Sequence, residues 1–173
     1  MKKLLSLLLV FTFLFSMSIT ALASSDHELD DILEQMDPYV VTTEKGTVYF
    51  DTQKAREDNT SEYIMEIGKT LNQFSLDMQN NSNEAVKTYK LSLPIWGNWC
   101  GPGHSGPEAP TDTLDAQCKK HDLCYSREGY FACSCDSALI ENIASNFSKM
   151  ETKEKIVAAA VTAYFLAAPC NPF

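Results

Sequence analysis

Apolar residues recur at intervals of three and four along most of this chain, the spacing of a helix that turns one face inward. Leu29, Ile32, Leu33 and Met36 place such a face over 28–36, and Pro38 stops it. Ile64, Ile67, Leu71, Phe74 and Met78 predict a longer amphipathic helix over about 61–79. Between the two the pattern changes. Tyr39 to Thr42 and Thr47 to Phe50 are β-branched and aromatic runs on either side of Glu44-Lys45-Gly46, which predicts a hairpin. The polar stretch Asn80-Asn81-Ser82-Asn83 then reads as a linker and sets a candidate boundary between 24–83 and 84–173.

Further on, Pro110 precedes Thr111 and Thr113, either of which can cap a helix, and Gly129 can end one, so 112–128 reads as a single helix. On it Cys118, His121 and Tyr125 share a face, and Asp122 lies about 100° further round. Ala132, Leu139, Ile140, Ile143 and Phe147 support a second helix within 131–149. Ile156 to Ala168 is a run of 13 mostly apolar residues, too short to span a bilayer and suited to a buried helix. Pro169 ends that run and Cys170 would pin it. The fold class is therefore mainly α, with an N-terminal helix and hairpin and no signal for a large sheet.

The first 23 residues stand apart. Lys2 and Lys3 open a basic start, Leu4 to Ile19 is apolar, and Ala21-Leu22-Ala23 is a small-residue cleavage signature, so 1–23 reads as a signal peptide cut near Ala23. Taking 23 residues from 173 leaves 150, enough for one compact domain, or a small domain with an extra segment. Export also removes two of 14 basic residues and none of 23 acidic ones, giving 12 against 23, or −11. That balance argues against a nucleic-acid partner and against strong attraction to anionic lipid. It leaves the oligomeric state open.

All six cysteines, at 100, 118, 124, 133, 135 and 170, lie in the exported part, which predicts three disulfides among fifteen possible pairings. Cys118 and Cys124 cannot bond each other from one helix, and Cys133 and Cys135 point to different sides. If the helix carrying His121 runs antiparallel to one carrying Asp136, the same packing brings Cys124 to Cys135 and His121 to Asp136.

Three stretches occur in order: Trp99 to Gly106, WCGPGHSG; Asp115 to Tyr125, DAQCKKHDLCY; and Cys133 to Asp136, CSCD. Over about 95–142 they resemble the secreted calcium-dependent phospholipases A2, of the bacterial type with a CGPGxSG calcium loop. His104 stands where a Gly is usual, a variation found in that family. The resemblance implies a disulfide-stapled helical fold with two antiparallel active-site helices in 84–173. It supports Cys124–Cys135 and adds Cys100–Cys118, leaving Cys133–Cys170 by elimination. It implies a phospholipid membrane or micelle as substrate, cleaved at the sn-2 acyl ester, and a secreted protein.

The chemistry of the residues runs alongside. Calcium takes roughly six to eight oxygens, often backbone carbonyls with a carboxylate, and a tight Gly-rich turn can aim carbonyls inward. By resemblance the ligands are the carbonyls of Trp99, Gly101 and Gly103 with the Asp122 carboxylate, and the Gly101 amide completes an oxyanion site. A neutral His121 can take a proton from water, with Asp136 fixing its tautomer as the acid of a triad does. Tyr125 resembles a family tyrosine that bonds this Asp, and Tyr130 and Tyr164 are candidates for a second one. Cys118, His121 and Cys124 cannot form a zinc site, because ligands at i, i+3 and i+6 of one helix do not converge.

Several assignments stay open on sequence alone. Leu93, Ile95 and Trp96 fit either core packing or a lipid-facing rim. His27 reads as a solvated bystander. No chemistry is recognised in 24–83, which suits a propeptide, a cover, or an integral part of one core. The alternative to an enzyme is a non-catalytic calcium- or lipid-binding protein on the same scaffold. The presence of both His121 and Asp122 favours the enzyme.

Overall fold

The computed structural model describes residues 27–82, 95–102, 105–168 and 170. The signal-peptide segment, Leu93, Gly103, His104 and Pro169 lie outside the described residues. The chain forms α1 (Glu28–Met36), a 3₁₀ turn (Asp37–Tyr39), β1 (Val40–Thr42), β2 (Val48–Phe50), α2 (Thr52–Glu57) and α3 (Glu62–Ser82). The second half adds α4 (Thr113–Glu128), α5 (Cys133–Asn146), a 3₁₀ turn (Phe147–Lys149) and α6 (Thr152–Ala167). It is mainly helical and held by three disulfides, Cys100–Cys118, Cys124–Cys135 and Cys133–Cys170.

The apolar run of α6 explains the architecture. Ile156 through Ala163 are all buried, on every side of the helix. A helix without a polar face has to be enclosed. Here α3, α1 and the hairpin enclose it from the N-terminal half, and α5 packs on it from the C-terminal half. One continuous apolar core therefore runs from Leu29 and Ile32 through Ile64, Ile67 and Leu71 to Ile143, Phe147 and Val161. Lys155 reaches back to Glu28 at 2.6 Å, and the Thr42 hydroxyl donates to the Ala167 carbonyl.

The hairpin pairs β1 and β2 antiparallel, with Val40 opposite Phe50 and Thr42 opposite Val48. It docks on α3 through a close approach at two positions four residues apart, which share a helix face. Gly68 lies directly beneath the Phe50 ring. Asn72 accepts from the Phe50 amide at 2.7 Å and donates to its carbonyl at 2.9 Å, completing the backbone bonds of that strand edge.

One expectation about element boundaries is corrected. Asn80, Asn81 and Ser82 continue α3 rather than forming a linker. Asn and Ser cost a helix only a few tenths of a kcal/mol each relative to better formers, which an already docked helix absorbs. The short α2 has no apolar periodicity to announce it. It forms because the Asp51 side chain caps it, accepting from the amides of Gln53 and Lys54.

A Cβ placed on Gly68 would stand 2.3 Å from the Phe50 ring, with two more ring atoms at 2.5 Å. Gly68→Ala gains about 1 kcal/mol of helix propensity but forces an overpacked contact costing about 1–3 kcal/mol. We expect a net loss of stability in chemical denaturation. A stabilised Gly68→Ala variant would show that the Phe50 ring is free to leave this position.

Candidate functional site

The site is built on α4, the loop before it, and the start of α5. Asp112 caps α4, its side chain accepting from the Asp115 amide at 2.9 Å and from the Trp96 indole N–H at 2.7 Å. The cap is thus Asp112 rather than Thr111 or Thr113. A carboxylate accepts as well as a hydroxyl there and adds favourable charge at the positive end of the helix. Glu154, buried at the start of α6, accepts from the Leu114 amide at 2.6 Å and from the Glu151 amide. One carboxylate therefore ties the N-termini of α4 and α6 together.

Asp115 fastens the loop. Fully buried, it accepts from the backbone amides of Trp99 at 2.7 Å, Asn98 at 2.9 Å and Thr111 at 2.9 Å. The backbone must come very close to allow this. Gly97 has φ +56°, and a Cβ there would stand 2.2 Å from the Asp115 carboxyl carbon. Gly106, at φ +64°, lies against the Trp99 ring, where a Cβ would be 2.4 Å away. The Trp99 indole in turn donates to the Glu108 carbonyl at 2.7 Å. Cys100 pairs with Trp96 in an antiparallel bridge and is tied to α4 through Cys118. Ile95 and Trp96 are half-buried and pack against the core.

His121 is buried on α4, and its Nε2 lies 2.8 Å from Asp136 Oδ1 at the start of α5. A carboxylate can only accept here, so Nε2 carries the proton and Nδ1 is left as the free acceptor. Tyr125, one turn on, donates its hydroxyl to the same Asp136 oxygen, and its ring lies 4.1 Å from the imidazole. Burial, and then the Asp136 carboxylate, push the Tyr125 hydroxyl far above its ordinary value, so it remains a donor. Burial and the same carboxylate raise Tyr164 as well, and no hydrogen bond joins the two. Of the two candidate second tyrosines, Tyr164 lies in the field of Asp136. Tyr130 is exposed, and its ring lies tilted against Tyr125 at 5.6 Å.

Asp122 faces the loop. Burial pushes its carboxyl up to about 6, only partly offset by a hydrogen bond from Ser105 and by His121. Its Oδ2 is buried and has no hydrogen-bond partner among the described residues. An orphaned carboxylate oxygen is costly, and a hard cation would relieve that cost. Asp122 with the neighbouring loop carbonyls therefore fits calcium by donor chemistry. Among the described residues, no three acidic, His or Cys side chains cluster to hold a metal without such carbonyls. Trp99 and Gly101 lie in the loop beside α4, and Gly103 falls outside the described residues.

The sequence reading brought His121, Asp136, Tyr125 and Asp122 to notice. It missed Asp115, Asp112, Glu154 and Ser105, which position them. Asp112 carried a visible signal as an N-cap residue type between Pro110 and Leu114. Asp115 opens the DAQCKKHDLCY stretch, yet nothing in the sequence says which amides it serves, and nothing distinguishes Glu154 from a surface acid.

Over 42 residues the chain is 50% identical to Phospholipase A2-beta of Arabidopsis thaliana, covering 23% of this chain and 29% of that protein. Over 58 residues it is 38% identical to Acidic phospholipase A2 S17-58 of Austrelaps superbus, covering 34% and 36%. The chain thus spans about a third of the length of either relative. No family model matches it. No solved structure matches it.

Asp115→Ala would leave three backbone donors without their acceptor, at about 1–3 kcal/mol for each one that stays buried. We expect a loss of at least about 3 kcal/mol in denaturant titration, with faster hydrogen exchange at the amides of 98, 99 and 111. Unchanged protection at those amides would show that the loop is held by other contacts.

Proposed function

We propose that this chain is an exported, calcium-dependent phospholipase A2 that hydrolyses the sn-2 acyl ester of glycerophospholipids. The observation that carries the reading is a single arrangement. A buried imidazole has Nε2 tied to Asp136 and Nδ1 free, next in sequence to a carboxylate with an unpaired buried oxygen. The short identities to two phospholipases A2 support it. In this reading residues 1–23 are a signal peptide removed near Ala23, and 84–173 carry the catalytic groups, with the described residues 27–82 packed against the second half.

Each group then has a role. His121 Nδ1 takes a proton from a water molecule, whose oxygen attacks the ester carbonyl carbon. Asp136 holds Nε2–H, keeps the ring in the tautomer that leaves Nδ1 free, and stabilises the imidazolium that forms. The Tyr125 hydroxyl keeps the Asp136 carboxylate in place. The Gly101 amide donates to the oxygen that gains charge as the tetrahedral adduct forms. When the adduct collapses, the C–O bond to the glycerol breaks and the departing alkoxide takes the proton from His121. A fatty acid and a lysophospholipid result. The Asp122 carboxylate and the carbonyls of Trp99, Gly101 and Gly103 are the groups that would hold calcium. Bound there, calcium supplies Lewis-acid polarisation of the ester carbonyl.

His121→Gln keeps a polar side chain but removes the proton acceptor. Release of fatty acid from phosphatidylcholine vesicles should fall at least ~10²-fold, with the far-ultraviolet dichroism of the wild type retained. Near-normal turnover would take His121 out of the mechanism and favour a protein that binds without catalysis.

Asp122→Asn keeps the shape and loses the only side-chain charge assigned to the metal site. Calorimetric calcium titration should show no binding by the variant, and excess chelator should silence the wild type. Magnesium should rescue poorly, because it demands shorter and more regular octahedral contacts. Full activity in chelator would remove calcium from the reaction, and normal calcium binding by Asp122→Asn would move the site elsewhere.

A further inference from the structure

We propose that Phe74, on α3 in the N-terminal half, is a positioning residue for the His121–Asp136 pair. The inference rests on reading that pair as the reacting centre.

Asp136 fixes one point of the imidazole through Nε2, and a single hydrogen bond leaves the tilt of the ring free. Two rings restrict that tilt. Tyr125 stands 4.1 Å away on the same helix, and Phe165 meets the imidazole edge-on at 5.2 Å from α6. Phe165 is only half-buried, so it needs support of its own. Its sequence neighbour Tyr164 projects about 100° away around the helix and lies in the field of Asp136. Phe74 touches both. Its ring meets Tyr164 edge-on at 4.8 Å and 76°, and Phe165 at 6.0 Å and 62°. Tyr164 and Phe165 also meet each other at 5.4 Å, so the three rings close a triangle. Phe74 is 4% exposed and anchored in the core of α3 and α6. One side chain from the first half therefore holds the two α6 residues that face the two members of the pair.

This makes the first half part of the site. None of the three disulfides crosses to residues 27–82. Its link to the reacting centre is this packing, and a working protein has to retain it.

The test uses the full-length protein. Phe74→Leu keeps apolar bulk and loses the flat ring. It should lower kcat on phosphatidylcholine about tenfold, with KM within about twofold, as displaced groups cost turnover before binding. In proton NMR the His121 Nε2–H resonance should move or broaden. Phe165→Leu should do the same, and the double variant should fall by less than the product of the two single losses, because Phe74 acts in part through that ring. Ile67→Val, equally buried on α3, should lower Tm and leave kcat and the resonance unchanged. Phe74→Ala should show a larger loss than Phe74→Leu, and if it does not fold, Phe74→Leu decides. A Phe74→Leu protein with wild-type kcat and an unshifted resonance would reduce Phe74 to core filler and overturn the proposal. So would a fully active species whose intact mass lacks residues 27–82. If wild type releases no fatty acid, the phospholipase reading falls and the resonance alone decides the role of Phe74.

Discussion

The need to enclose α6 on every side governs this molecule. A helix whose residues 156–163 are all buried cannot stand at the edge of a small domain. Each exposed leucine-sized face would forgo about 1.5–3 kcal/mol of burial per residue. The chain meets that need by wrapping α6 with elements from both ends of the sequence, α3 and the hairpin on one side and α5 on the other. That enclosure brings the aromatic end of α6, Tyr164 and Phe165, up to His121 and Asp136. The site is thus walled by a helix whose own position depends on residues a hundred places earlier in the chain.

Where apolar enclosure ends, buried carboxylates take over, and each answers a backbone demand. Asp115 collects three amides of the loop before α4, and Glu154 collects those of two helix starts. Both are stable because several donors converge on them, which offsets the cost of removing a charge from water. Asp122 is the contrast. It is half-buried beside the same loop, yet one of its oxygens finds no donor among the described residues. Of the three, it is the one that the fold leaves available to a ligand.

The disulfides lock this arrangement at its ends. Cys100–Cys118 holds the loop to α4, Cys124–Cys135 clamps α4 to α5 beside the His121–Asp136 bond, and Cys133–Cys170 fastens the start of α5 to the end of α6. They confine the covalent frame to the second half, which holds the candidate site. The first half is held by burial, by the Asn72 bonds to Phe50 and by the ion pair from Glu28 to Lys155.

What the sequence determined by itself was local. Helical periodicity placed α1 and α3 within a few residues of their limits, because one buried face repeats at a fixed interval, and start and stop residues placed α4. The β-branched runs located the hairpin. On the condition that α4 and α5 run antiparallel, one packing put His121 with Asp136 and Cys124 with Cys135, and the family resemblance supported the cysteine pair. Tertiary structure alone decided the rest. Asp115 opens a motif and Glu154 looks like any surface acid, and the role of both is set only when the amides they serve arrive from other segments. Gly68 looks like a defect in α3 until Phe50 is laid across it. Asn80 to Ser82 look like a linker until helix docking outweighs their weak preference. Phe74 belongs to a plain amphipathic stripe, and only the packing of α3 on α6 puts it against the rings that face the site. Spacing along a chain records which face is buried, whereas the identity of the neighbour on that face depends on contacts far apart in sequence.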